Sequence, residues 1–245
     1  MKVTRGALML WLCAASLPAA AEGNVLAQSN FDGDSEGWTA LGSGGSPSWA
    51  IHSGVSVQYQ SGGGNPGGHI TVQDPDNEWS YFSAPLAFLG NQSAAYGGRL
   101  SFDSRLVSAP GGTPANEAEV VLRGAGLTLV REATASLSAT WTSFDIPLMP
   151  GSWRVDDTFS GALATDAQLQ SVLGALSALW INAEYITPVV ETVALDNVRL
   201  LAPVPEPRQA VLMSAGLCLL VWAARRTRFP GASGHDRRER AAIAG

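Results

Sequence analysis

The stretch Val193-Ala-Leu-Asp-Asn-Val-Arg-Leu200 has strand character. It is a short run of apolar and β-branched residues interrupted by polar ones, and turn-forming residues lie upstream of it. Five other runs share this character: Val55–Tyr59, Gly98–Phe102, Glu119–Arg123, Leu127–Val130 and Ser143–Ile146. Gly- and Pro-rich segments at 62–68, 110–114 and 149–151 separate them as turns. Many short strands between such turns predict an all-β fold, either a β-sandwich or a jelly roll.

One segment departs from the strand pattern. Thr165-Asp-Ala-Gln168 has the form of a capping box, in which the Thr and Gln side chains satisfy backbone groups at a helix start. An apolar stripe at helical spacing follows it, made of Leu169, Val172, Leu173, Leu176 and Leu179. We therefore expect one short helix that packs its stripe against the sandwich.

Charge divides the 245-residue chain into regions. Residues 22–203 contain 18 Asp and Glu against 6 Arg and no Lys, a net charge of −12, whereas residues 225–245 contain 6 Arg against 2 acids. So acidic a body argues against a nucleic-acid partner. The cysteines, Cys13 and Cys218, both lie outside the body, which must rely on a hydrophobic core or bound ions for stability.

The N-terminus has the layout of a secretory signal peptide. Lys2 and Arg5 precede an apolar run at 6–15, and Ala19-Ala-Ala21 forms a small-residue cleavage site. We expect export through the Sec translocon and cleavage by signal peptidase after Ala21.

A second apolar run, at 210–224, predicts a C-terminal transmembrane helix. Its 15 residues would span roughly 22 Å, which is short for a permanent anchor. Arg225, Arg226 and Arg228 follow directly and place that end in the cytoplasm as a stop-transfer signal.

Several motifs in the body resemble the laminin IV type A module, also called laminin B, in composition and order. They are Gly64-Asn-Pro-Gly-Gly-His-Ile70, Tyr81–Pro85, Phe88–Asn91, Tyr96–Gly98, Leu100–Phe102, the predicted helix segment, Leu179–Tyr185 and Leu195–Val198. The resemblance covers about residues 31–200 and implies a β-sandwich related to galactose-binding jelly rolls, used in animals as an extracellular-matrix module. His69 departs from the aromatic residue expected there, and the disulfide-rich repeats that flank the animal modules are missing.

The C-terminus resembles the PEP-CTERM sorting signal of Gram-negative bacteria. The resemblance rests on Pro205-Glu206-Pro207, the short apolar run and the arginines after it. It implies processing by an exosortase, a membrane protease-transferase, near the Pro-Glu-Pro motif. Two prolines keep such a motif extended and accessible. An ordinary tail anchor is the alternative. The resulting division is a signal peptide at 1–21, a sandwich at 22–202, a sorting signal at 203–228 and a basic cytoplasmic tail at 229–245.

The stretch Phe31-Asp-Gly-Asp-Ser-Glu-Gly-Trp-Thr39 allows three interpretations. Gly33-Asp-Ser-Glu-Gly37 fits the G-x-S-x-G elbow of hydrolases but lacks the buried strand before it and the helix after it. An EF-hand is excluded, because Ser43 stands where the loop needs its bidentate Glu. The third interpretation is the start of a β-domain, with Phe31 and Trp38 in the core.

Jelly rolls related to this family hold calcium between their first and last strands. This resemblance implies a structural calcium site at Asp32, Asp34 or Glu36, and Asp196, all with the oxygen ligands that calcium takes. The alternative is that these acids form turns and solvated surface. No other cofactor is expected.

Other candidate residues have simpler interpretations. The acids at 74–78 and Asp156-Asp157 suit turns better than a metal site or a glycosidase pair. Four tryptophans could stack on sugars or lie in the core: Trp49, Trp79, Trp141 and Trp153.

Together these features predict an exported, non-enzymatic structural or adhesive module of the bacterial envelope or exopolysaccharide matrix. The alternatives are a carbohydrate-binding module for an extracellular polysaccharide and, more remotely, a hydrolase.

Overall fold

The computed structural model describes residues 23–52, 54–74, 79–115, 117–134 and 136–204, together with Leu219. The strands and helices of the sandwich belong to the unit that ends at Val204. In chain order its strands are β1 (Val25–Ser29), β2 (Thr39–Ser43), β3 (Ile51–His52), β4 (Val57–Gln60), β5 (His69–Gln73), β6 (Trp79–Ser83), β7 (Arg99–Ser108), β8 (Thr113–Pro114), β9 (Ala118–Gly124), β10 (Leu127–Glu132), β11 (Thr142–Pro147), β12 (Arg154–Val155), β13 (Leu176–Asn182), β14 (Ile186–Thr187) and β15 (Thr192–Leu201). The α-helix, α1, spans Asp166–Gly174, and short 3-10 helices span Leu86–Phe88 and Ser93–Ala95.

The first sheet, sheet A, has six strands and is organised around β15. Its order is β11-β7-β15-β5-β4. The long strand β15 pairs along one edge with β7, and along its other edge first with β5 and then with β1. The first and last strands of the sandwich are therefore hydrogen-bonded neighbours.

The second sheet, sheet B, has seven strands in the order β12-β10-β9-β13-β6-β2-β3. Its described pairings are antiparallel, as are those of sheet A. A separate two-stranded ribbon joins β14 to β8. This arrangement confirms the predicted all-β class and the jelly-roll sandwich with one short helix.

The main core lies between the two sheets. Aromatic side chains fill it, among them Phe31, Phe82 and Phe102, none more than 1% exposed. Phe102 on β7 stacks on Phe144 on β11 with ring centroids 4.7 Å apart. Each such side chain contributes about 2 kcal/mol by burial, which supplies the cohesion that a body without cysteines needs.

The helix begins as predicted and ends earlier. The Thr165 hydroxyl accepts from the Gln168 backbone N–H, and the Gln168 side chain accepts from the Thr165 N–H, so the capping box is confirmed. The prediction that Leu176 and Leu179 belong to the helix is wrong, because both lie in β13. The chain turns at Ala175, and the residues after it hydrogen-bond to β9 and β6, which a helix could not do.

All six predicted strands are present, as β4, β7, β9, β10, β11 and β15; five lie within two residues of their expected bounds, and β7 extends six residues further, to Ser108. The predicted signal helix and transmembrane helix lie outside the described residues. Within the part of the chain that the structure describes, no helix has both the length and the apolar character needed to cross a membrane.

Candidate functional site

The loop after β1 carries three candidate calcium ligands, Asp32, Asp34 and Glu36, and hydrogen bonds tie the loop together. The Asp34 carboxylate accepts the Glu36 backbone N–H at 2.6 Å, and the Glu36 carboxylate accepts the Phe31 N–H at 2.7 Å. Phe31 and Trp38 are buried in the core, with ring centroids 6.2 Å apart. Asp34 and Glu36 thus act as turn-formers at the start of the domain, as one of the three interpretations predicted.

The same loop does not have the form of a hydrolase elbow. Ser35 follows no buried strand directly and precedes no helix, because its segment connects β1 of sheet A to β2 of sheet B. The structure therefore agrees with the sequence argument against an elbow.

Asp196 occupies a different position, buried on β15. Its carboxylate accepts the backbone N–H groups of Asn65 and Asn197 at 2.6 and 2.7 Å. Burial raises the pKa of Asp196, although the two N–H donors lower it, and the negative charges of Asp103 and Asp32 raise it further. The structure brings Asp32 into the electrostatic range of Asp196, whereas the Asp34 carboxylate is engaged by Glu36.

Among the described residues, no group of three or more His, Cys, Asp or Glu side chains is arranged to hold a metal ion. The calcium site at Asp32, Asp34 and Asp196 therefore stays a prediction.

A network that the sequence did not predict surrounds Asp103 on β7. One Asp103 oxygen accepts the side-chain amides of Asn65 and Asn197, at 3.1 and 2.8 Å, and the other accepts the Ser143 hydroxyl at 2.6 Å. The Asn197 amide also donates to the Asn65 carbonyl. This network fixes the Gly-rich loop at 62–68 onto the outer face of sheet A. The only signal in the sequence is the Gly-Asn-Pro-Gly-Gly run itself.

The loop at 62–68 forms one wall of a groove on that face, which we call the polar groove. Its floor consists of Arg99, Ser101 and Asp103 from β7, Ser143 and Asp145 from β11, and Asn197 and Arg199 from β15, and its cavity measures about 450 Å³. The Arg99 guanidinium lies 3.4 Å from the Asp145 carboxylate, and both side chains are exposed to solvent. The groove is a polar concavity on sheet A and a candidate binding site.

Sheet B carries a second, smaller apolar cluster on its outer face. Tyr81, Trp180 and Val121 are buried there beneath Trp49, which belongs to a strap formed by residues 44–50 between β2 and β3. Trp49 donates its indole N–H to the Asp156 carbonyl, so the strap is held to the loop after β12.

Glu117 holds the strap in place through hydrogen bonds. Its carboxylate accepts the Ser46 backbone N–H and the Thr158 hydroxyl, each at 3.0 Å, and thereby joins the strap to the 156–158 loop. Burial raises the pKa of Glu117 despite these donors. Asp157 accepts the N–H groups of Phe159 and Ser160, so this acid belongs to a turn, as predicted.

The four tryptophans predicted as candidates for stacking on sugars fall into two groups. Trp49 and Trp153 are buried, with exposed fractions of 3% and 0%, whereas Trp79 and Trp141 are partly exposed. The Arg105 guanidinium lies 4.9 Å from the Trp141 ring centroid and covers that ring.

A group of buried acids lies near the β8–β14 ribbon. Glu119 and Glu191 are almost fully buried, and burial raises the pKa of each to about 7. The Tyr185 hydroxyl donates to Glu119, and the Tyr185 and Ile186 N–H groups donate to Glu191. Asp74, from the 74–78 segment that the sequence marked as a turn, is also buried, and its charge raises the pKa of Glu191.

The remaining predicted site residues lie outside the described residues. These are Ala21 at the signal cleavage point, Pro205, Glu206 and Pro207 of the sorting motif, and Arg225, Arg226 and Arg228 of the stop-transfer signal.

Comparison with known proteins identifies relatives of this sandwich. Residues 81–214 match the family model of laminin B (domain IV). Laminin subunit gamma-2 of Homo sapiens and of Equus caballus are each 30% identical to the chain over 190 residues, which cover 73% of the chain and 14% of the relative. The chain thus spans about one seventh of the length of these relatives.

Two solved structures are also similar. The L4b domain of human laminin alpha-2 is 18% identical with a TM-score of 0.44, covering 54% of this chain and 79% of that one. A family 11 carbohydrate-binding module from Clostridium thermocellum is 15% identical with a TM-score of 0.47, covering 78% of this chain and all of that one. Since the family match spans more than half of the 245 residues, the chain belongs to the laminin B (domain IV) family.

Proposed function

We propose that this protein is an exported, non-enzymatic structural or adhesive module of the bacterial cell surface or extracellular matrix. The observation that carries the proposal is its membership of the laminin B family, whose curated relatives are subunits of laminin. The short match to those relatives gives no reason to extend laminin assembly to this chain.

The use of the acidic side chains supports a role without catalysis. Asp34, Glu36, Asp103, Glu117 and Asp196 each accept hydrogen bonds that hold a loop in place. Such acids serve the architecture of the sandwich, as a structural or adhesive surface module requires.

A turnover assay tests the absence of catalysis. We expect no hydrolysis of neutral nitrophenyl esters or glycosides at neutral pH, with or without calcium. Hydrolysis that disappears in Ser35→Ala would identify the Gly33–Gly37 segment as an active site and would overturn the proposal.

Delivery of the module rests on the two ends of the sequence. The Sec translocon and signal peptidase would export the chain and cut it after Ala21. The C-terminal helix would hold it briefly in the inner membrane, with Arg225, Arg226 and Arg228 in the cytoplasm. An exosortase would then act near Pro205-Glu206-Pro207 and release the module to the outer surface.

Intact-mass analysis of protein from the cell surface tests this route. We expect mature protein that lacks residues 1–21 and 225–245. The triple variant Pro205→Ala, Glu206→Ala and Pro207→Ala should remain unprocessed in the membrane fraction. Pro203→Ala, an adjacent proline outside the motif, is the matched control and should be processed normally. Mature surface protein that retains residues 225–245 would contradict sorting.

A further inference from the structure

The polar groove on sheet A has a surface chemistry that the structural role does not require. Its floor comes from three neighbouring strands in fixed register, with Ser143 opposite Asp103, Asp145 opposite Ser101, and Ser101 also opposite Arg199. The side chains on this floor are hydroxyl, carboxylate, amide and guanidinium groups, which both donate and accept hydrogen bonds. A ligand with many hydroxyl groups matches this alternation.

The groove is preorganised. Three donors hold the Asp103 carboxylate, and two backbone N–H groups of the Gly-rich loop and β15 hold Asp196 beneath the wall. Among the described residues, the side-chain oxygens of Asn65 and Asn197 accept no hydrogen bond, while their amide nitrogens are anchored. Fixed polar groups with unused acceptor capacity lower the ordering cost of binding.

The balance of charge selects the class of ligand. Two arginines, Arg99 and Arg199, and two aspartates, Asp103 and Asp145, line the groove, so that its side chains carry no net charge. A polyanion would meet the aspartates, and a polycation would meet the arginines. An uncharged ligand meets neither penalty.

The groove also continues past the Arg99–Asp145 pair. A second cavity of about 430 Å³ shares these two residues and extends to Pro147, Met149 and Pro203, where Met149 is 48% exposed. A polar stretch followed by an apolar one suits an extended chain of sugar units, each of which has hydroxyl edges and a C–H face. A peptide strand has less to gain, because in the described sheet only β11 of the three floor strands has an unpaired edge, whereas the β7 and β15 backbones are already paired on both edges.

We infer that the polar groove binds a neutral polysaccharide chain, with Arg99 and Asp145 contacting its hydroxyl groups at the junction of the two cavities. This inference goes beyond the proposed surface role. Failure of glycan binding would leave export, sorting and the absence of catalysis untouched, because the assays for those read out mass and turnover.

Affinity electrophoresis of the full chain tests the inference on gels that contain a neutral glucan, mannan, galactan or xylan, or the anionic polygalacturonate. We expect retardation by at least one neutral polysaccharide, with little change between low and high salt because the ligand carries no charge. Arg99→Ala and Asp145→Ala should each weaken binding about tenfold. Both side chains are solvent-exposed, so their removal should leave the melting temperature almost unchanged.

Matched variants locate the site. Arg123→Ala makes the same substitution on the outer face of sheet B, where Arg123 covers Trp180, and should bind like the wild type. Ser101→Tyr should block the floor of the groove and abolish retardation. The inference is overturned if no neutral polysaccharide retards the protein, if only polygalacturonate does, if the groove variants bind like the wild type, or if Arg123→Ala alone removes binding.

Discussion

The carboxylate of Asp196 accepts the backbone N–H of Asn65 at 2.6 Å, across 131 positions of sequence. This bond ties the Gly-rich loop to the last strand. The other carboxylate oxygen accepts the Asn197 N–H, and Asn197 has a φ of 51°, a backbone conformation that Asn tolerates better than most residues. One buried side chain thus holds both the loop and the irregular step in β15.

Asp196→Ala should therefore lower the free energy of unfolding by about 3 kcal/mol, because it leaves two N–H groups without their charged acceptor. Urea denaturation measures the change. Glu132→Ala, which removes an exposed acid, should change stability by less than about 0.5 kcal/mol. If both variants unfold at the wild-type urea concentration, Asp196 does not hold the loop.

The Gly-rich loop supplies a second prediction. A Cβ on Gly68 would lie 2.1 Å from the Phe31 carbonyl oxygen and 3.0 Å from the Tyr59 side chain, whereas a Cβ on Gly62 would have no neighbour within 4 Å. Gly68→Ala should cost about 2–3 kcal/mol through overpacking. Gly62→Ala, in the same loop, should leave the melting temperature near that of the wild type. Equal melting temperatures for the two variants would contradict this close packing.

The buried carboxylates predict the pH dependence of stability. Burial raises the pKa of Glu119 and of Glu191 from 4.5 to about 7. The unfolded chain therefore releases these protons first as pH rises, and the contribution to stability present below about pH 4.5 is lost by about pH 7. We expect urea denaturation to show a loss of stability across this interval, of up to about 3 kcal/mol for each of the two groups.

Glu119→Gln isolates this effect, because a Gln oxygen can still accept the Tyr185 hydroxyl. The variant should show a flatter pH profile than the wild type between pH 5 and pH 7. The comparison also removes the contribution of His69, whose pKa is lowered by burial and by Arg105 and which therefore acts in the opposite direction near its ordinary pKa of 6.5. A wild-type and variant pair with parallel profiles would sink the explanation.

The calcium hypothesis makes the fourth prediction. If an ion bridges Asp32, Asp34 and Asp196, a chelator should lower the melting temperature by several degrees, and excess calcium should restore it. Asp34→Ala should remove this response without the large loss expected for Asp196→Ala. A melting temperature that is the same with chelator and with calcium eliminates the site.

Local patterns in the sequence predicted most of the elements. The strand at Ser143–Ile146 alternates between exposed and buried residues, the strand at Glu119–Arg123 has an apolar, β-branched centre, and the capping box at Thr165 marks the helix start. Leu176 and Leu179 misled the prediction because their spacing suits a helix, whereas the adjacent edges of β9 and β6 recruit them into a strand. That recruitment is a tertiary effect without a local signal.

The polar contacts that shape the candidate site could not be predicted from local sequence patterns. Asn65 and Asp103 are 38 positions apart, and Ser46 and Glu117 are 71 positions apart. Each of these residues has an ordinary turn or strand interpretation by itself, and only the pairing of distant strands brings its partner within reach. The Asp32–Asp196 proximity was expected only through the resemblance to a family.

The pairing of β1 with β15 has a mechanical consequence. Val25 lies opposite Leu201, and the Ala202 N–H donates to the Asn24 carbonyl, so the polypeptide enters and leaves the sandwich at one point. A pulling force applied between these two ends would break the hydrogen-bonded pairs of β1 and β15 one after another, starting at Val25. Such geometry yields at low tension, and the sandwich would lengthen in steps while the strands deeper in sheet A stay paired.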